Sequence, residues 1–90
     1  MNQKRITVNY SPTFFRNLRK FPKNQLKFLK QKEEIFYNNP FDPRLKTHKL
    51  RGELSGAYSF SISYHWRIVF HFEQDNVIVF DAIGTHEVYR

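Results

Sequence analysis

The spacing of apolar residues changes near the middle of the chain, and this change limits the folds that are open to it. Before residue 40, apolar side chains recur every three or four residues, as in Phe14, Leu18 and Phe21. After residue 48 they alternate with polar ones, as in the stretch from Tyr58 to Tyr64. The first spacing predicts helices and the second predicts strands. The sequence therefore predicts an α+β domain in which the helices precede most of the sheet.

Local signals place a strand and two helices in the first half. Residues 6–10 alternate apolar and polar, which predicts a short first strand. Ser11 before Pro12 is typical of a helix start with serine as the N-cap. Asn24 is the predicted cap of a second helix from about Gln25 to Tyr37. The apolar residues that this second helix is expected to bury are Leu26, Phe28, Leu29, Ile35 and Phe36.

The second half predicts antiparallel strands that are joined by short turns. Residues 77–83 are apolar except for Asp81, as expected of a central strand. We expect one domain over residues 1–90, with a short N-terminal strand, a two-helix hairpin and three to four antiparallel strands. Both helices should cover the same face of the sheet. The other predicted strands cover residues 48–54, 58–64 and 66–73. The uncovered face would carry Lys49, Arg51, Ser59, Ser61, Ser63, Arg67 and His71.

The charge balance points to an anionic partner. Fifteen Lys and Arg against eight Asp and Glu give a net charge of +7. Such an excess favours nucleic acid first, then an acidic protein, then an anionic membrane surface. No apolar run is long enough to span a membrane, and no apolar signal segment follows the first residues. We therefore expect a soluble cytoplasmic protein. Part of the charge forms a predicted lysine ridge, which consists of Lys20, Lys23, Lys27 and Lys30.

Motifs for several kinds of chemistry are absent from the sequence. There is no cysteine, the four histidines do not have zinc-ligand spacing, and no glycine-rich phosphate loop or serine elbow occurs. We expect no metal and no cofactor. Histidines and cations remain, and these suffice to cut RNA, because RNA supplies its own 2′-hydroxyl nucleophile. The protein must supply a base, an acid and fixed positive charge.

Three segments in order resemble the RelE/ParE toxin superfamily, and within it the RelE/YafQ-type messenger-RNA interferases. They are residues 48–54 (HKLRGEL), 66–70 (WRIVF) and 84–89 (GTHEVY). The resemblance implies a RelE-like fold and a ribosome-dependent endoribonuclease. It implies cleavage of mRNA in the decoding site, next to 16S ribosomal RNA. It also implies an acidic cognate antitoxin that keeps the toxin silent.

The resemblance implies roles for individual residues. His86 and His48 match histidines of the YafQ-type group, and Arg67 matches the arginine that stabilises the scissile phosphate in RelE-type enzymes. These three are the expected catalytic residues, with the division between acid and base left open. The expected substrate-binding residues are Lys49, Arg51, His65 and Tyr89, of which Tyr89 resembles a C-terminal aromatic that stacks on a base. The chain departs from the YafQ pattern at two positions. YafQ-type toxins have a histidine where this chain has Ser61 and an aspartate where it has His65.

Two other functions stay open at this point. A ParE-like toxin would inhibit DNA gyrase by binding it, without cutting RNA. A homologue that has lost toxicity would only bind an acidic partner. Structural roles compete as well. Arg67 could form an ion pair with Asp81 or Glu73, and the position of His65 is typical of a turn residue without a role in the site.

Overall fold

The computed structural model describes residues 6–85, which form two helices and five strands. Neither helix in this part of the chain has the length and apolar content needed to cross a membrane. The strands are β1 (Thr7–Tyr10), β2 (His48–Lys49), β3 (Tyr58–Ser61), β4 (Arg67–Gln74) and β5 (Val77–Gly84). The helices are α1 (Pro12–Leu18) and α2 (Leu26–Asn38), with short 3-10 turns at Lys23–Gln25, Pro43–Leu45 and Gly52–Leu54.

The strands form one mixed sheet in the order β1-β5-β4-β3-β2. The pairs β2–β3, β3–β4 and β4–β5 are antiparallel, whereas β1 pairs with β5 in parallel. The predicted α+β class and the central strand are therefore confirmed. The sequence did not indicate that β1 would extend the sheet in parallel, because that pairing depends on how the two helices carry the chain across one face.

The start of α1 is as predicted, and the start of α2 is not. The Ser11 hydroxyl accepts a hydrogen bond from the Phe14 amide at 2.9 Å and donates one to the Asp81 carbonyl at 2.8 Å. The predicted cap of α2 at Asn24 is wrong. Asn24 lies inside the 3-10 turn that begins after Pro22, and Gln25 precedes α2 without a side-chain cap.

The core is a cluster of phenylalanine rings between α2 and the sheet. Phe36 is fully buried, and its ring centroid lies 4.8 Å from that of Phe60 and 5.0 Å from that of Phe70. Leu29 is also buried, as predicted, and Ile35 packs at the edge of the core. Burial of Leu26 and Phe28 was predicted wrongly, since they are 44% and 38% exposed. The side chains of α2 that are buried in the core are therefore Leu29 and Phe36.

The predicted strand at 48–54 is mostly wrong. Only His48 and Lys49 pair with β3, and Gly52 then takes a left-handed conformation with φ 71° at the start of a 3-10 turn. This conformation interrupts a strand, because strand geometry requires negative φ. The predicted open serine face is also wrong in part, since Ser59 and Ser61 are both buried.

Candidate active site

The strand register places two of the predicted site residues, His48 and Arg67, on one face of the sheet together with Ser61. His48 lies opposite Ser59, and Ser61 lies opposite Arg67. Directly opposed residues share a face, and alternate residues of one strand share it too. His48, Ser61 and Arg67 therefore lie on the face away from Phe60 and the helices.

These three residues line an open cleft of about 720 Å³. No Asp or Glu occurs among the described residues that line it. A group of cations without a carboxylate between them attracts anions and disfavours cationic ligands. The lining consists of four basic side chains, one imidazole and three hydroxyls: Lys32, Arg44, Lys46, Arg67, His48, Ser61, Ser63 and Tyr64.

Arg67 is held in place by a hydroxyl. It is partly buried on β4, and one guanidinium nitrogen donates a hydrogen bond to the Ser61 oxygen. The alternative ion pair with Asp81 is wrong, because Asp81 pairs with His71 at 2.8 Å. Arginine keeps other N–H donors after bonding to one hydroxyl, and those can bind a phosphate.

The backbone orients the ring of His48. Its Nδ1 lies 3.1 Å from the Lys46 carbonyl oxygen. A carbonyl oxygen only accepts, so Nδ1 carries a hydrogen and donates it to that oxygen. Lys46 is in the left-handed region at φ 55°, directly after the turn that buries Leu45. This turn therefore aims the Lys46 carbonyl at the imidazole and brings the lysine itself to the cleft.

Three cations that line the cleft were not predicted as site residues: Lys32, Arg44 and Lys46. The Lys32 ammonium donates to the Arg44 carbonyl at 3.3 Å, which joins α2 to the 3-10 turn at Pro43–Leu45. The Arg44 guanidinium donates two hydrogen bonds to Asp42, at 3.0 and 2.9 Å. Bonds from the Arg44 side chain and backbone lower the pKa of Asp42 to about 2. Asp42 stays charged and forms an ion pair with Arg44, whose side chain lines the cleft.

Three expected substrate-binding residues lie outside the cleft. Lys49 lies opposite Tyr58, on the other face of the sheet from Arg67, so the prediction that the two share a face is wrong. The neighbouring residue His48 has the position that was predicted for Lys49. Arg51 is exposed just before the 3-10 turn at Gly52–Leu54. His65 is exposed in the bend between β3 and β4, with its ring 4.7 Å from that of Tyr64.

The end of β5 lies beside Arg67. Gly84 is the register partner of Arg67 on the neighbouring strand. His86 and Tyr89, which were predicted as a catalytic and a stacking residue, lie outside the described residues. Within residues 6–85, no three His, Asp or Glu side chains form a group that could hold a metal ion.

No protein-family model matches the sequence, and no curated protein matches it. Solved structures do match it over nearly its whole length. YafQ from E. coli strain BL21(DE3) is 22% identical with a TM-score of 0.68, and the match covers 92% of this chain and 96% of that one. A chain of the toxin–antitoxin complex RelBE2 from Mycobacterium tuberculosis is 21% identical with a TM-score of 0.73, covering 91% and 99%. The YoeB dimer from Staphylococcus aureus is 24% identical with a TM-score of 0.72, covering 92% and 99%.

These similarities establish the fold. The chain has the fold of the RelE/YafQ-type toxins, as the resemblance of its sequence motifs implied. At such low identities the match describes the course of the backbone. Function depends instead on the side chains that this backbone brings together in the cleft.

Proposed function

We propose that this protein is the toxin of a toxin–antitoxin pair and that it cuts mRNA as a metal-independent endoribonuclease. One observation carries the proposal: His48 and Arg67 line the same cleft, together with three further cations and no carboxylate among the described residues. A cleft of this kind suits a phosphodiester and offers both proton transfer and charge stabilisation.

The proposed reaction needs only groups that the protein and the RNA supply. The 2′-oxygen attacks the adjacent phosphorus while a base removes its proton. The bond from phosphorus to the 5′-oxygen breaks, and an acid protonates that oxygen. The products are a 2′,3′-cyclic phosphate and a 5′-hydroxyl. Negative charge gathers on the phosphorane oxygens, and fixed donors that meet it there lower the barrier.

Arg67 and His48 fit two of these tasks. The Ser61 hydroxyl holds the Arg67 guanidinium, so its remaining donors are positioned before the substrate arrives. The Lys46 carbonyl accepts a hydrogen bond from Nδ1 of His48, which orients the imidazole within the cleft. In this proposal His48 is the base and Arg67 stabilises the phosphorane.

His86 is the proposed acid. It follows Gly84 by two residues, and a fully extended chain spans about 7 Å over that distance. Gly84 is paired with Arg67, so the covalent chain allows the imidazole to reach the same phosphate. Lys49, Arg51, His65 and Tyr89 are proposed to contact the RNA or the ribosome beyond the scissile bond.

The proposed partners follow from the same charge distribution. RelBE2 is a toxin–antitoxin complex, and an acidic antitoxin segment would neutralise the net charge of +7 on this chain. The proposed target is mRNA in the decoding site, near 16S ribosomal RNA. This target places the activity in the cytoplasm.

Induction of the protein in bacteria tests the proposal directly. Wild type should arrest growth and create new mRNA 5′ ends, whereas Arg67→Ala and His86→Ala should do neither at equal protein levels. Lys20→Ala, in an exposed lysine outside the cleft, is the matched control and should behave as wild type. Growth arrest without new 5′ ends would reject the nuclease. Inhibition of gyrase supercoiling by the purified protein would then support the ParE-like alternative.

A further inference from the structure

Tyr64 leaves its aromatic ring in water at the rim of the cleft. It is 86% exposed, whereas the next most exposed large apolar side chain among residues 6–85 is Phe15 at 52%. Exposure of a tyrosine ring to this extent gains nothing for the fold, because the stabilisation from aromatics comes from burial. It lines the same cleft as four cations, which points to a role in binding.

The bend that carries Tyr64 is anchored on both sides. Ile62 is buried, and its amide donates to the Trp66 carbonyl at 2.8 Å. The Ser63 hydroxyl donates to Gln25 at 2.9 Å, which ties the bend to the 3-10 turn before α2. The ring is thus presented by a fixed backbone, so a ligand that stacks on it has little loop motion to restrain.

We propose that Tyr64 is a substrate-binding residue that stacks on a base of single-stranded RNA next to the phosphate bound by Arg67. This inference rests on the proposed function. Both side chains line one cleft, and phosphate contacts combined with aromatic stacking are how proteins hold unpaired RNA. The stacked base fixes the register of the strand, and the cations hold its backbone.

The test is cleavage of a synthetic mRNA in a cell-free translation system. Tyr64→Ala should lower kcat/KM by about 5- to 140-fold, the usual range for loss of one stacked base. Tyr64→Phe keeps the ring and should stay within about twofold of wild type. Phe28→Ala is the matched control, since it removes an exposed ring on α2 outside the cleft, and it should have no effect.

A substrate change makes the test independent of protein folding. An abasic nucleotide beside the mapped cut should slow wild type by the same factor as Tyr64→Ala. It should slow Tyr64→Ala no further, because the stacking contact is already lost. Cleavage by Tyr64→Ala at the wild-type rate would overturn the inference. It would also be overturned if the abasic nucleotide slowed Tyr64→Ala by the same factor as it slows wild type. If wild type makes no cut at all, the nuclease proposal fails and this inference fails with it.

Discussion

The charges of the cleft predict how RNA binding depends on salt. Four cations line it, and one of them, Arg44, already forms an ion pair with Asp42. Three cations are therefore left to neutralise phosphates. Each neutralised phosphate on a single strand contributes about −0.7 to the slope of log affinity against log salt concentration. The cleft alone then gives a slope of about −2, or roughly a 20-fold loss of affinity between 50 and 200 mM salt.

Lys46→Gln is the perturbation that isolates this contribution. It removes one charge and keeps a side chain of similar length at a position with φ 55°. The slope should become shallower by about 0.7. Lys27→Gln is the control, because Lys27 lies on the lysine ridge, where its ammonium group is 5.3 Å from the Phe28 ring centroid. That change should leave the slope as it is.

Fluorescence anisotropy with a labelled oligonucleotide measures these slopes. The strand should carry 2′-O-methyl groups, since these block the nucleophile and keep the RNA intact during titration. If Lys27→Gln flattens the slope while Lys46→Gln does not, the RNA lies along the lysine ridge. The assignment of the cleft as the RNA site would then be refuted.

Three stability predictions follow from the fold. Phe36→Ala should lower the free energy of unfolding by about 3–5 kcal/mol in chemical denaturation, because its ring is fully buried among other phenylalanines. Ser11→Ala should cost about 1–2 kcal/mol, because the hydroxyl both caps α1 and bonds to the Asp81 carbonyl; an unchanged melting temperature would contradict this. Burial raises the pKa of Glu33, so the folded state favours its protonated form and loses stability as pH rises through that pKa. The melting temperature of Glu33→Gln should therefore exceed that of wild type by more at pH 7 than at pH 4.

Features of the fold with local causes could be predicted from the sequence. Ser11 and Pro12 define the start of α1, because capping depends on the residues next to it. The apolar run at 77–83 is typical of a strand inside a sheet, and β5 does pair with β1 on one side and β4 on the other. The pairing of β1 with β5 could not be predicted, since no local pattern encodes a partner so distant in the chain.

Burial on α2 shows where periodicity stops being informative. The apolar pattern includes Leu26 and Phe28, yet both are exposed, whereas Leu29 and Phe36 are buried. The 3-10 turn after Pro22 decides where α2 begins, and such turns carry a weak sequence signal. Propensity and spacing thus predicted the helix correctly but not the part of it that meets the sheet.

The site likewise contains residues that the sequence predicted and residues that it did not. His48 and Arg67 were found through resemblance to known toxins, and the register brings them to one face. Lys32, Arg44 and Lys46 carried no motif. They meet because the 3-10 turn at Pro43–Leu45 folds back against α2, where the Lys32 ammonium bonds to the Arg44 carbonyl. A basic residue in a loop becomes part of a site only when tertiary structure closes the loop.

The short strand β2 decides which side chain enters the cleft. It has only two residues, and a slip of one would turn Lys49 towards Arg67 and His48 away from it. The register is fixed from both ends: by Leu45, which is fully buried before the strand, and by the Leu50 amide, which donates to the Ala57 carbonyl at 2.9 Å after it. Since β2 is too short to specify its own register, the proposed base is positioned by packing and hydrogen bonds outside the strand that carries it.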